Sequence, residues 1–193
     1  MASSPVTKVT EAEYLALDRA AEVRSEFLDG EMWAMSGGSW RHASLQANII
    51  GELSAGLRGG NCRVFTSDLR VRVVPGRMYA YPDVTIVFGK PIVADDRQDI
   101  LLNPVVVFEV LSPSTEKYDR GIKLQRYLAI ESLKDYVLVD QDKARVEQYA
   151  RGSAGAWTFR AYERLDDQPK LESVDASLPL ARIYDRVELP PAA

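Results

Sequence analysis

One stretch limits the fold more than any other. Pro104 introduces Val105-Val106-Val107-Phe108-Glu109-Val110-Leu111, apolar on both faces except at Glu109, and Pro113 ends it. A strand of this kind belongs in the middle of a sheet with a layer packed on each side. Asp135–Asp140 (DYVLVD) reads as a second buried strand.

The remaining elements fall around these two. Thr10-Glu11-Ala12-Glu13 has the form of a capping box, so a short helix follows Thr10. Ser25–Leu28 and Met32–Met35 flank Asp29-Gly30, a tight hairpin turn. Leu45, Ile49, Ile50, Leu53 and Leu57 form one apolar helical stripe, with Ser39 as its cap and Gly59-Gly60 as its stop. Leu69, Val71 and Val73 alternate with Arg70, Arg72 and Val74, and Pro75-Gly76 turns the chain. Val84–Phe88 is a strand entered through Pro82-Asp83. Ser114 or Thr115 caps a helix reaching about Ile130, with Ile122, Tyr127 and Ile130 inward. Arg145–Tyr149 and Trp157–Tyr162 form a hairpin around Gly152–Gly155. The order predicts a mixed α/β (α+β) domain: one central sheet flanked by helices, with hairpins added at both ends. The length of 193 residues fits a single domain over 1–193, with a core over about 10–150 and a C-terminal hairpin extension over 144–186.

Composition enters by what it lacks. One Cys (Cys62) excludes an internal disulfide framework, and one His (His42) excludes a four-ligand Cys/His zinc site. Any Ser-His-Asp or Cys-His chemistry has to run through His42. Carboxylates are plentiful, 28 Asp and Glu against 24 Lys and Arg, so metal chemistry here means oxygen ligands and hard metals. The net charge of −4 argues against a broadly basic nucleic-acid surface but leaves room for a local patch. MASSPVTKV has no apolar leader and no apolar run reaches membrane-spanning length. The expectation is a cytoplasmic protein without a membrane partner.

Three residues are candidates for carrying chemistry. Glu109 shares a strand face with Val107 and Leu111, where a carboxylate is costly unless paired, protonated or bound to a cation. A salt bridge to a neighbouring Arg or Lys is the plain alternative. Asp83 stands at the mouth of a strand and shares a face with Thr85 and Val87. If the two strands are neighbours, both carboxylates converge at one sheet end, and a divalent cation relieves their repulsion. Lys123 lies one turn from Asp119 and from Tyr127. It is either half of a helix ion pair or, if the helix covers Glu109, an ammonium beside the metal.

Pro82-Asp83, then Glu109-Val110-Leu111-Ser112, then Asp119-Arg120-x-x-Lys123-x-x-x-Tyr127 together resemble the Uma-two-type restriction endonuclease family. Asp29-Gly30-Glu31, His42 before an apolar helix and DYVLVD also fit, so the resemblance spans Thr10 to Tyr149. The family belongs to the PD-(D/E)XK nucleases. The resemblance implies a four-stranded mixed sheet flanked by helices, metal-dependent cleavage of DNA phosphodiesters, and a homodimer. It implies that Asp83, Glu109 and the carbonyl of Val110 hold Mg²⁺ or Mn²⁺, with Lys123 steadying the attacking water or the phosphate. One departure stands out: the superfamily places its lysine two residues after the acid, where this chain has Leu111.

A third acid is usual in the superfamily. Glu26, Glu31 and Asp68 are the candidates, with Glu31 favoured. His42 is a capping, packing or catalytic residue. Lys117, Arg120, Lys123 and Arg126, and also Arg70 and Arg72, are candidates for a phosphate backbone or for a solvated face. Trp33 and Trp40 pack between subunits or fill a satellite core. Two alternatives accompany the nuclease reading: a catalytically inactive DNA-binding or assembly module on the same fold, and a metal-dependent hydrolase of a small phosphate ester.

Overall fold

The computed structural model describes residues 8–35 and 37–191. Most of the leader on which the polar-terminus reading rests lies outside them. Helix α1 (Glu11–Ala20) starts at the expected capping box: Thr10 Oγ1 accepts from the Glu13 amide at 3.3 Å, and Glu13 accepts from the Thr10 amide at 2.7 Å. Strands β1 (Ser25–Leu28) and β2 (Glu31–Ala34) meet at Asp29 and Gly30, both with positive φ (50° and 95°), as a type I′ turn requires. Helix α2 (Trp40–Gly56) is capped by Ser39, whose hydroxyl accepts from the His42 amide at 3.1 Å. It buries Leu45, Ile49 and Leu53 and ends before Gly59, which turns the chain at φ 80°.

Strands β3 (Cys62–Thr66), β4 (Arg70–Val74), β5 (Met78–Ala80), β6 (Val84–Phe88), β7 (Ile100–Leu101) and β8 (Val106–Leu111) follow. Then come a helical turn α3 (Glu116–Tyr118), a π turn (Asp119–Lys123) and α4 (Leu124–Leu128). Strands β9 (Asp135–Asp140), β10 (Val146–Arg151) and β11 (Trp157–Tyr162) complete the large sheet. A small ribbon, β12 (Lys170–Leu171) and β13 (Ala176–Ser177), and α5 (Leu180–Ile183) close the fold. Among the described residues, no helix is long and apolar enough to cross a membrane.

The fold class is the expected mixed α/β, with two sheets where the sequence suggests one. The larger has six strands in the order β11-β10-β9-β8-β6-β3, and all six residues of β8 are buried within it. β8 runs antiparallel to β6 and parallel to β9, the central position its two apolar faces demand. The N-terminal hairpin does not extend this sheet. It pairs through β5 (Phe27 opposite Tyr79) into a five-stranded sheet, β2-β1-β5-β4-β7. β5 has three residues, too short for an alternation signal, so the second sheet is invisible to periodicity.

The layers follow from the two faces of β8. Val106, Phe108 and Val110 pack under α2 and α5. Val107 and Leu111 pack against Tyr127 of α4 and against Val71, Met78 and Ala80 of the five-stranded sheet. One inward candidate turns out. The π turn, with Gly121 at φ −104° and ψ −108°, rotates Ile122 into solvent while Asp119 and Lys123 face inward.

Candidate functional site

β6 and β8 pair with Val84 opposite Phe108 and Thr85 opposite Val107. Continuing that antiparallel register by one residue sets Asp83 opposite Glu109. Pro82, which has no N–H, precedes Asp83 at the strand mouth. The Val110 amide donates to Asp83 Oδ2 at 2.7 Å, so a side chain replaces the missing ladder partner where β6 begins. The two strands are neighbours, and the two acids share one sheet end.

Lys123 arrives from the π turn. Its Nζ lies 2.9 Å from Glu109 Oε1, 2.9 Å from Glu26 Oε1 and 3.5 Å from Asp119 Oδ1. Lys123 and Glu109 are each 4 % exposed, and the Tyr118 ring covers the ammonium. One cation therefore gathers three carboxylates from β1, β8 and the helical segment. The π turn supplies this geometry by swinging Lys123 under the sheet instead of along a solvated face.

The charges in this cluster do not balance. Burial pushes the Glu109 carboxyl well above the ordinary carboxylate range. Lys123 pulls it back, and Asp119, Asp83 and Glu26 push it up again. Burial also raises Asp119. For Lys123, burial works against the ammonium, but Glu109, Glu26 and Asp119 outweigh it and hold it protonated well above its usual value. Glu109 Oε1 has the ammonium nearby without a well-aligned hydrogen bond, and the hydroxyls of Tyr118 and Tyr127 are buried without partners. Such loose ends are uncommon in a folded interior.

Asp83 faces an open cleft of about 760 Å³, whose walls include His42, Gln46, Arg24, Arg70 and Arg97. His42 Nε2 stands 2.8 Å from Asp83 Oδ1, and Gln46 Nε2 donates to the Asp83 carbonyl at 2.8 Å. Burial lowers the His42 pKa, but the hydrogen bond and charge of Asp83 outweigh it and leave the ring more basic than usual. Glu109 and Lys123 lie outside the cleft lining, behind Asp83.

The structure brings together Asp83, Glu109, Val110, Lys123 and His42. Among the third-acid candidates it selects Glu26. Glu31 shares a face with Glu26 but sits on the edge strand, at the turn end of the hairpin, and makes none of these contacts. Asp68 is solvent-exposed and pairs with Arg24 at 2.6 Å. Asp119 was legible only as a helix partner of Lys123; its place in the cluster depends on the π turn. Several of the candidate phosphate-contacting cations are engaged within the chain. Arg70 is buried on Asp18, Asp99 and Tyr81. Arg120 pairs with Glu116 and Glu147, and Arg126 approaches Asp29. Trp33 and Trp40 are exposed, so they fill no satellite core.

A mixed sheet flanked by helices, with two acids opposed across adjacent antiparallel strands and a lysine from the following helix, defines a restriction-endonuclease-like chain. The chain belongs to the Uma2 family, described as "Putative restriction endonuclease", whose model matches residues 11–181. It is 33 % identical over 184 residues to "Uncharacterized protein slr1290" of Synechocystis, covering 94 % of each chain. It is 34 % identical over 152 residues to "Uncharacterized protein sll1609" of the same organism, covering 78 % of this chain and 86 % of the other. The fold is shared with the crystal structure of "a putative nuclease belonging to DUF820" from Anabaena variabilis. The TM-score is 0.75 at 18 % identity, covering 91 % of this chain and 97 % of that one.

Proposed function

We propose that this chain hydrolyses phosphodiester bonds in DNA with Mg²⁺ or Mn²⁺, Asp83 and Glu109 being the acidic ligands and the Val110 carbonyl a third. The observation that carries the reading is the register that opposes Asp83 and Glu109 beside a lysine and an open cleft. Among the described residues, no three His, Cys, Asp or Glu side chains gather at metal-holding spacing. Two carboxylates and a carbonyl suit a cation such as Mg²⁺, which takes the rest of its shell from water and substrate. The surplus of carboxylates over Lys123, together with the imperfectly bonded Glu109 Oε1, supports a cation there.

When bound, such a cation polarises a phosphate oxygen and lowers the pKa of a coordinated water. The chain's own residues then do three things. Asp83 presents its carboxylate at the cleft wall. Lys123, held by Glu26 and Asp119, keeps a positive charge beside Glu109 where negative charge builds on the phosphate. Tyr118 and Tyr127 keep that ammonium out of water. The DNA substrate and a homodimeric state are carried by the family resemblance.

Plasmid cleavage with Mg²⁺ or Mn²⁺ tests the reading. Wild type is expected to nick or linearise DNA, and Asp83→Ala and Lys123→Ala are expected to lose the activity. Undiminished cleavage by Asp83→Ala would sink the site. One observation favours a second reading, a DNA-binding or assembly module without cleavage. Leu111 lies buried in apolar surroundings where the superfamily pattern has its lysine. DNA binding by a wild type that takes up Mn²⁺ but leaves varied DNA intact would favour that module.

A further inference from the structure

Asp83 is held from two sides. His42 and Gln46 lie one turn apart on α2 and meet its carboxylate Oδ1 and its backbone carbonyl, both at 2.8 Å. Gln46 Nε2 also reaches Ser67 Oγ at 3.1 Å, tying the amide down. From β8, the Val110 amide holds Oδ2 at 2.7 Å. Both carboxylate oxygens and the main chain of this one residue are thereby engaged.

The imidazole has no other evident task. Ser39 already caps the helix, and His42 Nδ1 is buried without a partner, a cost that an apolar packing residue would avoid. The ring is itself clamped. A Cβ on Gly38 would come within 2.9 Å of His42 Cδ2, so any larger residue there would have to push the imidazole aside. The helix beneath is fixed by Leu45, Ile49 and Leu53 against the large sheet.

We propose that His42 and Gln46 are positioning residues that together aim the Asp83 carboxylate for cation binding, without touching the cation. The inference rests on the reading of Asp83 as a metal ligand given above. A ligand pre-aimed by its outer partners binds more tightly than one ordered on binding, and loss of such a partner typically costs about 10–100-fold in metal affinity.

Two measurements on the full chain test this in His42→Leu, Gln46→Met and His42→Gln. The first is Mn²⁺ titration by calorimetry. His42→Leu and Gln46→Met are expected to melt near wild type and to bind Mn²⁺ roughly 10–100-fold more weakly. His42→Gln, whose amide can donate from a similar position, is expected to recover most of the loss. The second is hydrogen exchange in metal-free protein. The Val110 amide, bonded to Asp83, is expected to exchange faster in His42→Leu and Gln46→Met while Phe108 and Val137 stay unchanged. Wild-type Val110 exchange in both variants overturns the proposal, as does a Mn²⁺ loss that His42→Gln does not repair. Faster Val110 exchange together with no Mn²⁺ binding by wild type upholds the positioning and removes the metal reading instead.

Discussion

Two charged clusters, one in the cleft wall and one outside its lining, differ in how completely they are satisfied. In the five-stranded sheet, Arg70 is buried against Asp18, bonds Tyr81 at 3.0 Å and lies over the rings of Tyr14 and Tyr81. Asp18 takes a further bond from the Ser25 amide at 2.6 Å, and Arg19 grips Asp99 at 2.7 and 2.8 Å. Nearly every donor has its acceptor. Around Lys123, three carboxylates share one ammonium, and buried hydroxyls go unpaired. A closed network of the first kind holds two elements together. An open, anionic one of the second kind leaves negative charge that the proposed cation would offset.

The sharpest way to break this contrast is to remove the closed cluster's cation. Arg70→Met is expected to cost about 3–5 kcal/mol in urea unfolding, because Asp18 is left buried without its counter-ion. Mn²⁺ is expected not to restore that loss. Equal rescue of Arg70→Met by metal would erase the distinction.

Metal binding gives the next effect. If the open cluster takes a cation, Mn²⁺ at about a hundred times its Kd stabilises wild type by about 2.7 kcal/mol. Asp83→Ala should show no such shift. Asp99→Asn, altered in the closed network, should keep it. The measurement is thermal or urea unfolding with and without Mn²⁺.

Glu109→Gln tests whether the surplus carboxylate is itself a strain. The fold holds the Glu109 carboxyl above its ordinary 4.5, so it favours the protonated form. Stability conferred by that preference is present at low pH and is lost as pH rises through the raised folded value. Wild type should therefore weaken relative to Glu109→Gln as pH climbs from about 4 to 7. At neutral pH the variant should be more stable by about 0.5–2 kcal/mol while losing cleavage, the usual trade at a functional site. Unfolding curves at the two pH values decide it, and a variant less stable at pH 7 would show that the Lys123 pair outweighs the crowding.

What the sequence could show of these clusters follows from range. Asp83, Glu109 and Lys123 were legible because two-residue and four-residue periods place them on inward faces, and a short connection joins strand to helix. Glu26 and Glu31 lie on one hairpin face, and choosing between them needs the knowledge that β2 is an edge strand. That order is set by pairing to β5, a three-residue strand far along the chain. Arg70 alternates with Val71 like a surface residue; only Asp18, brought in by α1, reveals it as buried. The contribution of His42 was open for the same reason, since Asp83 lies 41 residues away in sequence.

The smallest expected effect separates stability from binding. Arg24 and Asp68 form a pair at 2.6 Å whose side chains are 46 % and 72 % exposed, and both line the cleft. Solvent screening makes such a pair worth little, so Arg24→Ala should change stability by less than about 0.5 kcal/mol. If a phosphate backbone runs through the cleft, Arg24 exchanges Asp68 for phosphate, and its loss weakens DNA binding uniformly across sequences. The salt slope of binding should then fall by about 1. Fluorescence anisotropy with labelled duplex over a salt series gives that slope. An unchanged slope would place the DNA path away from this wall and leave Arg24 a surface charge. A reduced slope at unchanged stability would assign to the cleft what neither buried cluster provides, a cation free to leave its partner for the substrate.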